Sequence, residues 1–387
     1  MSDGFLGWER ADGSVGVRNH VLILPTVVCA NGVVERLERE GTRHALVTHQ
    51  HGCAQVGDDL ALTGRTLAGF ATNPNVGAVV LLSLGCESYQ PDELAELVAA
   101  SGRPVEVLRI QELGGITATL DAARAAADRF RAELDRVERV AAPWSLLRLG
   151  LECGGSDSWS GITANPALGA CADTLVSLGG TVVLAETPEI IGAEHLLAER
   201  AVEPAVAAQL LAAVDTWEQH AARTGVDARG AQPTPGNQAG GLTTIEEKSL
   251  GAIQKAGASP LTEVVEFGEG PSRSGFVFMD TPGHDIEQVT GFAAGGCQIV
   301  CFTTGRGTPT GCPIVPVVKI ATNTRIAELM AEHVDVDAGP IATGEATIAE
   351  VGDEIWRFVQ RVGTGELTAA ERGGHREFAL PRLWSSL

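Results

Sequence analysis

Short apolar runs recur along this chain, each closed by a polar turn and followed by a stretch with the apolar spacing of an amphipathic helix. His20 to Cys29 reads as a buried strand, Gly32 to Glu40 as the helix after it, and His44 to Thr48 as a second strand. Leu60 to Phe70 is expected to be helical, Val76 to Leu84 a continuous apolar strand, Pro91 to Ser101 a helix, Pro104 to Ile110 a short strand, and Ile116 to Val140 a long helix. Strands alternating with helices imply a parallel sheet covered on both faces. Pro143 and Trp144 mark an expected linker, after which the alternation restarts with a strand over Leu146 to Leu151. Helix Ile162 to Leu178, strand Thr181 to Ala185 and two helices within Ile190 to Arg223 lead to a Gly- and Pro-rich loop, Gly225 to Gly241. A helix over Ile245 to Ala256 precedes strands at Thr262 to Phe267, Phe276 to Asp280, Gln298 to Phe302 and Val315 to Ile320. Helices are expected at Asp285 to Ala294, Asn323 to His333 and Glu345 to Val362. The pattern predicts an α/β protein of two Rossmann-like parallel-sheet domains, residues 1–142 and 143–387, with a cleft between them.

Composition narrows the partners. A chain of 387 residues with 44% hydrophobic and 20% charged residues is globular and long enough for two domains. Its net charge of -21, with no basic block, excludes a phosphate backbone or an anionic membrane as the natural guess, although a local site can still hold a small anion. No run reaches the length of a membrane span, and MSDGFLGWER lacks a signal-peptide core, so a soluble cytoplasmic protein is expected. The eight cysteines are dispersed, which argues for free thiols. Cys29, Cys171 and Cys301 lie inside apolar runs and read as core, while Cys297 and Cys312 are open. Among 28 basic residues the lysines are confined to positions 248, 255 and 319, so each is worth weighing; for Lys255 the plain alternative is a solvated helix face.

Six apolar strands end in a thiol, acid or hydroxyl beside glycine or threonine: His49-Gln50-His51-Gly52-Cys53, Gly85-Cys86-Glu87, Glu152-Cys153-Gly154-Gly155, Glu186-Thr187, Asp280-Thr281, and Thr303-Thr304-Gly305-Arg306-Gly307. Parallel sheets build their sites on that edge. His49, His51 and Cys53 alternate, so in strand geometry they share a face and could ligate iron or zinc; a polar loop with one buried thiol is the alternative. Cys86 and Cys153 stand open between ligand and packed thiol. No Cys-x-x-Cys pair occurs, which weakens an iron–sulfur or structural zinc reading. The Gly-rich loop with Arg306 suits an anion or a structural turn, and it matches neither a phosphate loop nor a dinucleotide fingerprint. Lys248, near a helix start, is a functional candidate, and Glu186 or Asp280 could be a base or a ligand.

RADGSVGVRNHVLIL, THQHGC, LGCE, CGGSDSWSGITANPALG, GGTVVLAET, GGLTTIEEKSLGAIQKAG, FTTGRGTPTG with VPVVKIAT, and IATGEATIAEVG together resemble the altronate and galactarate dehydratases, along with the large subunit of sulfolactate sulfo-lyase. The resemblance spans nearly the whole chain. It implies elimination of water or sulfite from a 2-hydroxy acid to give a 2-oxo acid, with a divalent metal, Fe(II) first and Mn(II) or Zn(II) as alternatives. The dehydratases carry a small extra domain of about a hundred residues, so here a separate small subunit and an oligomer are expected. On that footing the metal falls to His49, Cys53, Cys86 and Cys153, with Glu186 as a further ligand. Ser156 and Asp157 would bind substrate hydroxyls, and Lys248, Glu186 and Asp157 would do the catalytic work. Thr304 and Arg306 would hold the far anionic end. (2R)-Sulfolactate leads as substrate over a sugar acid. A noncatalytic scaffold for a small partner is the reading from another class, and a nicotinamide dehydrogenase lacks its fingerprint.

Overall fold

The computed structural model describes residues 4–384. Two parallel sheets dominate it. In the four-stranded sheet the order is Ala45–Leu46, His20–Pro25, Val76–Ser83, Val105–Arg109, so the chain reverses its direction of travel between His20–Pro25 and Val76–Ser83. In the seven-stranded sheet it is Leu261–Val265, Gly275–Met279, Thr181–Leu184, Arg148–Gly154, Ile299–Thr304, Val317–Ala321, Val336–Asp337. Its reversal falls between Arg148–Gly154 and Ile299–Thr304, paired from Ile299 with Leu149 to Thr304 with Gly154. Crevices beyond the strand C-termini at such reversals are where open α/β sheets take ligands.

Burial on both faces explains the strand sequences. Val76–Ser83, Ile299–Thr304 and Val317–Ala321 are buried at every position, as expected of strands sandwiched between helices. The outer face of the smaller sheet is covered by helices Asn31–Arg39 and Ile116–Leu134. The outer face of the larger one lies under Ala164–Ser177, Pro204–Arg223 and Ile348–Gly363. Between the sheets, helices Gly57–Ala71 and Asp285–Ala294 pack together in one shared core with residues of both. That approach is close: a Cβ on Gly69 would lie 2.2 Å from the Ala294 carbonyl oxygen. Asn73 donates to the carbonyls of Ala293 and Cys297 at 2.7 and 2.9 Å, and Asn75 to those of Gln298 and Ile314 at 2.9 and 3.0 Å. Buried amides that satisfy strand and helix ends across the contact fix how the halves meet.

Several expected elements need correcting. The long helix stops at Leu134, and Val140–Pro143, expected as helix end and linker, is a strand antiparallel to Gly4–Glu9. Gly4–Glu9 lies at the centre of a three-stranded antiparallel sheet whose other edge is Val15–Gly16. The loop 225–241 contains short helices Ala228–Ala231 and Pro235–Ala239, the latter opened by a capping box of Thr234 and Asn237. The helix from Thr324 ends at Leu329 rather than near His333. Among the described residues no helix is long and apolar enough to cross a membrane.

Candidate active site

The strand Arg148–Gly154 carries Glu152 and Cys153 on opposite faces, as strand alternation requires. Cys153 points toward the helix side and meets Lys255, whose Nζ lies 2.8 Å from the sulfur and 2.7 Å from Glu186 Oε2. The thiol lies 3.3 Å from Glu186 Oε2 and 3.6 Å from Glu189 Oε2. Lys248 Nζ closes the other end, 2.5 Å from Glu189 Oε1, with Gln232 Oε1 at 3.0 Å and Asn237 Oδ1 at 3.3 Å. All five side chains are buried.

Local structure delivers each of them. Glu186 and Glu189 flank a single tight turn, Thr187–Glu189, just past the strand Thr181–Leu184. Glu186 has φ 73°, a left-handed conformation that a non-glycine residue adopts at some energetic cost, and its N–H is held by Thr281 Oγ1 at 2.9 Å. Lys248 sits on helix Ile245–Ala252 and Lys255 on the 3-10 continuation Ile253–Ala256, two turns apart and on one face.

Burial sets the protonation. It pushes Glu186 up to about 7, reinforced by Glu189 and opposed by Lys255. It pushes the Cys153 thiol well above its usual range, with Glu186 adding to the effect. Burial works against charge on Lys255, but the sulfur of Cys153 and the carboxylate of Glu186 outweigh it, and the ammonium stays protonated. For this tight group we hold to a neutral thiol beside a charged ammonium, because one carboxylate suffices to keep the lysine charged. Lys248 is likewise raised, against its burial, by Glu189. Glu186 Oε1 has no hydrogen-bond partner. Donor atoms of Cys153, Glu186 and Glu189 all lie within 4.8 Å of one another and could hold a metal ion. The set suits a borderline-soft divalent ion. Two ammonium groups already balance its two carboxylates, however, so an incoming ion would compete with Lys255.

A cavity of about 280 Å³ opens on this group, lined by Cys153, Ser156, Ser160, Asn165, Lys248 and Gln254 among others. A larger one, about 720 Å³, lies at the opposite, N-terminal strand ends around Arg148 and Thr181, away from the buried acids. Of these two, the smaller is the one that reaches the thiol and a lysine.

Asp157 has every oxygen occupied. Oδ1 accepts from the Trp159 and Ser160 N–H groups and from Ser160 Oγ, and Oδ2 accepts from Thr322 Oγ1 at 2.9 Å and Asn323 Nδ2 at 3.1 Å. It ties the loop after one strand to the loop after another, and Gly305 makes room: a Cβ there would come 2.3 Å from the Asp157 carboxyl carbon. Ser156 is buried at the cavity wall, its carbonyl bonded to Asn237 Nδ2 at 3.0 Å. Thr304 Oγ1 accepts from the Gly307 and Thr308 N–H groups at 3.0 and 3.1 Å, which shapes the Gly-rich turn. Arg306 is exposed and donates to the Gly236 carbonyl at 3.3 Å, beside a neighbouring cavity of about 600 Å³ that also contains Arg325.

The other expected ligands stand on the smaller sheet. His49 is buried with both ring nitrogens engaged, Nε2 with the Pro25 carbonyl at 2.7 Å and Nδ1 with the His51 N–H at 3.1 Å, and burial pushes it down to about 4. His51 bonds the Leu380 carbonyl and Gln55. Cys53 and Cys86 are exposed, and so is Cys29, which its apolar run assigned to the core. The structure thus brings Cys153 together with Glu186 and Lys248, and sets His49, Cys53 and Cys86 elsewhere. Glu189 and Lys255 were not among the residues the sequence singled out for the site. Lysine scarcity was the available signal: Lys248, Lys255 and Lys319 are all buried.

Two family domains match the chain: D-galactarate dehydratase/altronate hydrolase, second domain, over residues 7–135, and D-galactarate/altronate dehydratase, C-terminal, over residues 144–386. The altronate dehydratase of Bacillus subtilis (strain 168) is 38% identical over 97% of this chain and 77% of its own length. The (2R)-sulfolactate sulfo-lyase subunit beta of Chromohalobacter salexigens is 38% identical over 99% of this chain and 98% of its own. The galactarate dehydratase (L-threo-forming) of Escherichia coli (strain K12) is 36% identical over 94% and 73%. With both halves matched and such relatives along nearly its whole length, the chain belongs to the D-galactarate/altronate dehydratase family and is a lyase.

Proposed function

We propose that this chain is the catalytic subunit of a lyase that removes a proton from C2 and a leaving group from C3 of a small anionic 2-hydroxy acid, yielding an enol that ketonises to the 2-oxo acid. The observation that carries the chemistry is the cavity floored by Cys153 and Lys248, with Glu186 buried behind them near neutral titration. A base working near neutral pH needs a carboxylate raised toward that range, and Glu186 is our choice. Lys248 would hold the substrate carboxylate, and Lys255 would keep positive charge beside Glu186 as the C2 proton arrives. Ser156 would meet a hydroxyl. Asp157 holds the loop that carries Ser156, and Arg306 with Arg325 would favour a distal anionic group in the adjoining cavity. A divalent ion, Fe(II) first and Mn(II) or Zn(II) after it, would supply Lewis-acid stabilisation of the developing dianion, held by Cys153 and Glu189 so that Glu186 stays free as the base.

For substrate, (2R)-sulfolactate leads and the leaving group is sulfite. What supports this is the relative named (2R)-sulfolactate sulfo-lyase subunit beta, 38% identical over 99% of this chain. A partner subunit is supported by that relative's name, subunit beta. Free thiols throughout fit a reducing, cytoplasmic setting. A sugar-acid dehydratase is the second reading, favoured by three relatives of that name. The test is to isolate the complex from its source cells through a tag on this chain and offer sulfolactate, altronate and galactarate with Fe(II), assaying sulfite and 2-oxo acid. Sulfite from sulfolactate is the expected result. A 2-oxo acid from a sugar acid without sulfite moves the assignment to dehydration, and neither product from any of the three defeats this reading.

A further inference from the structure

Three of the eight cysteines, Cys29, Cys53 and Cys86, are exposed, and the other five are buried. Exposed thiols are uncommon, because cysteine is among the most buried residue types, and these are not scattered. Each follows a different strand of the four-stranded sheet: Cys29 comes after His20–Pro25, Cys53 after Ala45–Leu46 and Cys86 after Val76–Ser83. Two of those strands form the chain reversal of that sheet, where a ligand crevice is expected.

Hydrogen bonds tie the loops together beside each thiol. The Val28 N–H donates to the His51 carbonyl at 2.8 Å, and the Ser88 N–H to the Gly52 carbonyl at 2.8 Å. Thr26 Oγ1 donates to Glu87 Oε1 at 2.6 Å, and Glu87 Oε2 accepts the Gly85 N–H at 2.8 Å. Every one of the cysteines is therefore within two residues of a bond joining its loop to a neighbouring one. The nearby imidazoles do not compete as ligands, because both nitrogens of His49 and of His51 are already bonded.

We infer that Cys29, Cys53 and Cys86 ligate a cubane iron–sulfur cluster through three thiolates, leaving one iron without a protein ligand. A single ion is the poorer fit. Among the described residues, the group with donor atoms all within 4.8 Å of one another is Cys153, Glu186 and Glu189, so the three loop thiols stand farther apart than the ligands of one ion. In a cubane each thiolate binds a different iron, which suits the wider spacing. Ligands drawn from three separate loops also explain why no local Cys-x-x-Cys motif announces the site. Assembly releases three thiol protons and takes up a preformed cluster, or ferric and ferrous iron in equal number with inorganic sulfide, so that no oxidation of the protein or of sulfide is needed. The iron that lacks a protein ligand is a Lewis acid for oxygen groups. The inference rests on residues separate from the Cys153 group and does not depend on the substrate assignment.

Anaerobic purification of the complex, followed by reconstitution with Fe(II), Fe(III) and sulfide, tests it. The expected result is acid-labile sulfide bound with at least an equal amount of iron and a broad visible absorption. Cys29→Ser, Cys53→Ser and Cys86→Ser should each lose most of the sulfide and the absorption, while Cys153→Ala keeps both; circular dichroism checks that each variant is folded. Iron or zinc bound without sulfide overturns the cluster, as does a triple serine variant that keeps the sulfide and absorption. Because the readout is sulfide and colour rather than product, a failed lyase assay with an intact cluster counts against the function above and not against this site.

Discussion

At the edge of the four-stranded sheet, Cys29, Cys53 and Cys86 face solvent and His49 spends both nitrogens on the backbone; at the edge of the seven-stranded sheet, Cys153 is buried with two carboxylates and two ammonium groups. Both edges derive from the same motif, an apolar strand breaking into a thiol and glycine. What differs is the cover. The helical stretch Ile245–Ala256 lies over Cys153 and carries both lysines, whereas nothing comparable lies on Cys86. Burial turns a set of ordinary side chains into coupled acids and bases, because desolvation makes each charge depend on its partner. Exposure leaves thiols available as ligands.

The comparison can be broken at its strongest point first. Glu186→Gln should lower kcat by about 10²–10⁴-fold while the protein stays folded; a variant within a few-fold of wild type would remove Glu186 as base. The pH dependence follows from the same residue. Its folded value is raised from 4.5 to about 7, so the base ionises only as pH climbs through about 7, and kcat should fall below that point with a limb absent from the variant. For stability the sign is opposite to that of an ordinary paired carboxylate. The native state holds a proton that the unfolded chain releases, so the Glu186 contribution is present below 4.5 and is lost as pH rises toward 7, seen as a flatter denaturation profile in Glu186→Gln.

Lys255→Met comes next. It strands Glu186 in the interior, and about 3–5 kcal/mol of stability should go with the pair, measured by urea unfolding at neutral pH. A loss below about 1 kcal/mol would mean that protonation of Glu186 absorbs the change. Asp157→Ala removes a fastener and takes the acceptor from Thr322 Oγ1 and the Trp159 N–H, a cost of about 2 kcal/mol, with a smaller fall in kcat than Glu186→Gln. A kcat loss as large as that of Glu186→Gln, at unchanged stability, would restore Asp157 to the catalytic set. The mildest probe is a thiol reagent on metal-free protein: three cysteines should react fast and five only on unfolding. Fast reaction at Cys153 would contradict its burial.

Much of the fold was legible because buried parallel strands are continuous apolar runs and their helices are amphipathic. The antiparallel Gly4–Glu9 and Val140–Pro143 pair was not, since a half-exposed strand with two glycines carries little period even at the centre of its small sheet, and the two partners lie at opposite ends of the first half. Cys29 misled for a related reason: an apolar run says a segment is near the core, but Val28–Ala30 turns past the strand end and the thiol emerges.

Of the site, sequence alone determined which residues lie at strand ends, that Cys153, Ser156 and Glu186 are among them, and that lysine is rare enough to notice. Tertiary structure decided the rest. Pairing Arg148–Gly154 with Thr181–Leu184 sets Cys153 beside the turn of Glu186 and Glu189, and packing Ile245–Ala256 across them brings Lys255 from 102 residues away. Residue types are written locally, whereas a buried charge is tolerable only where distant elements supply its counter-charge, and that is a property of the packed chain.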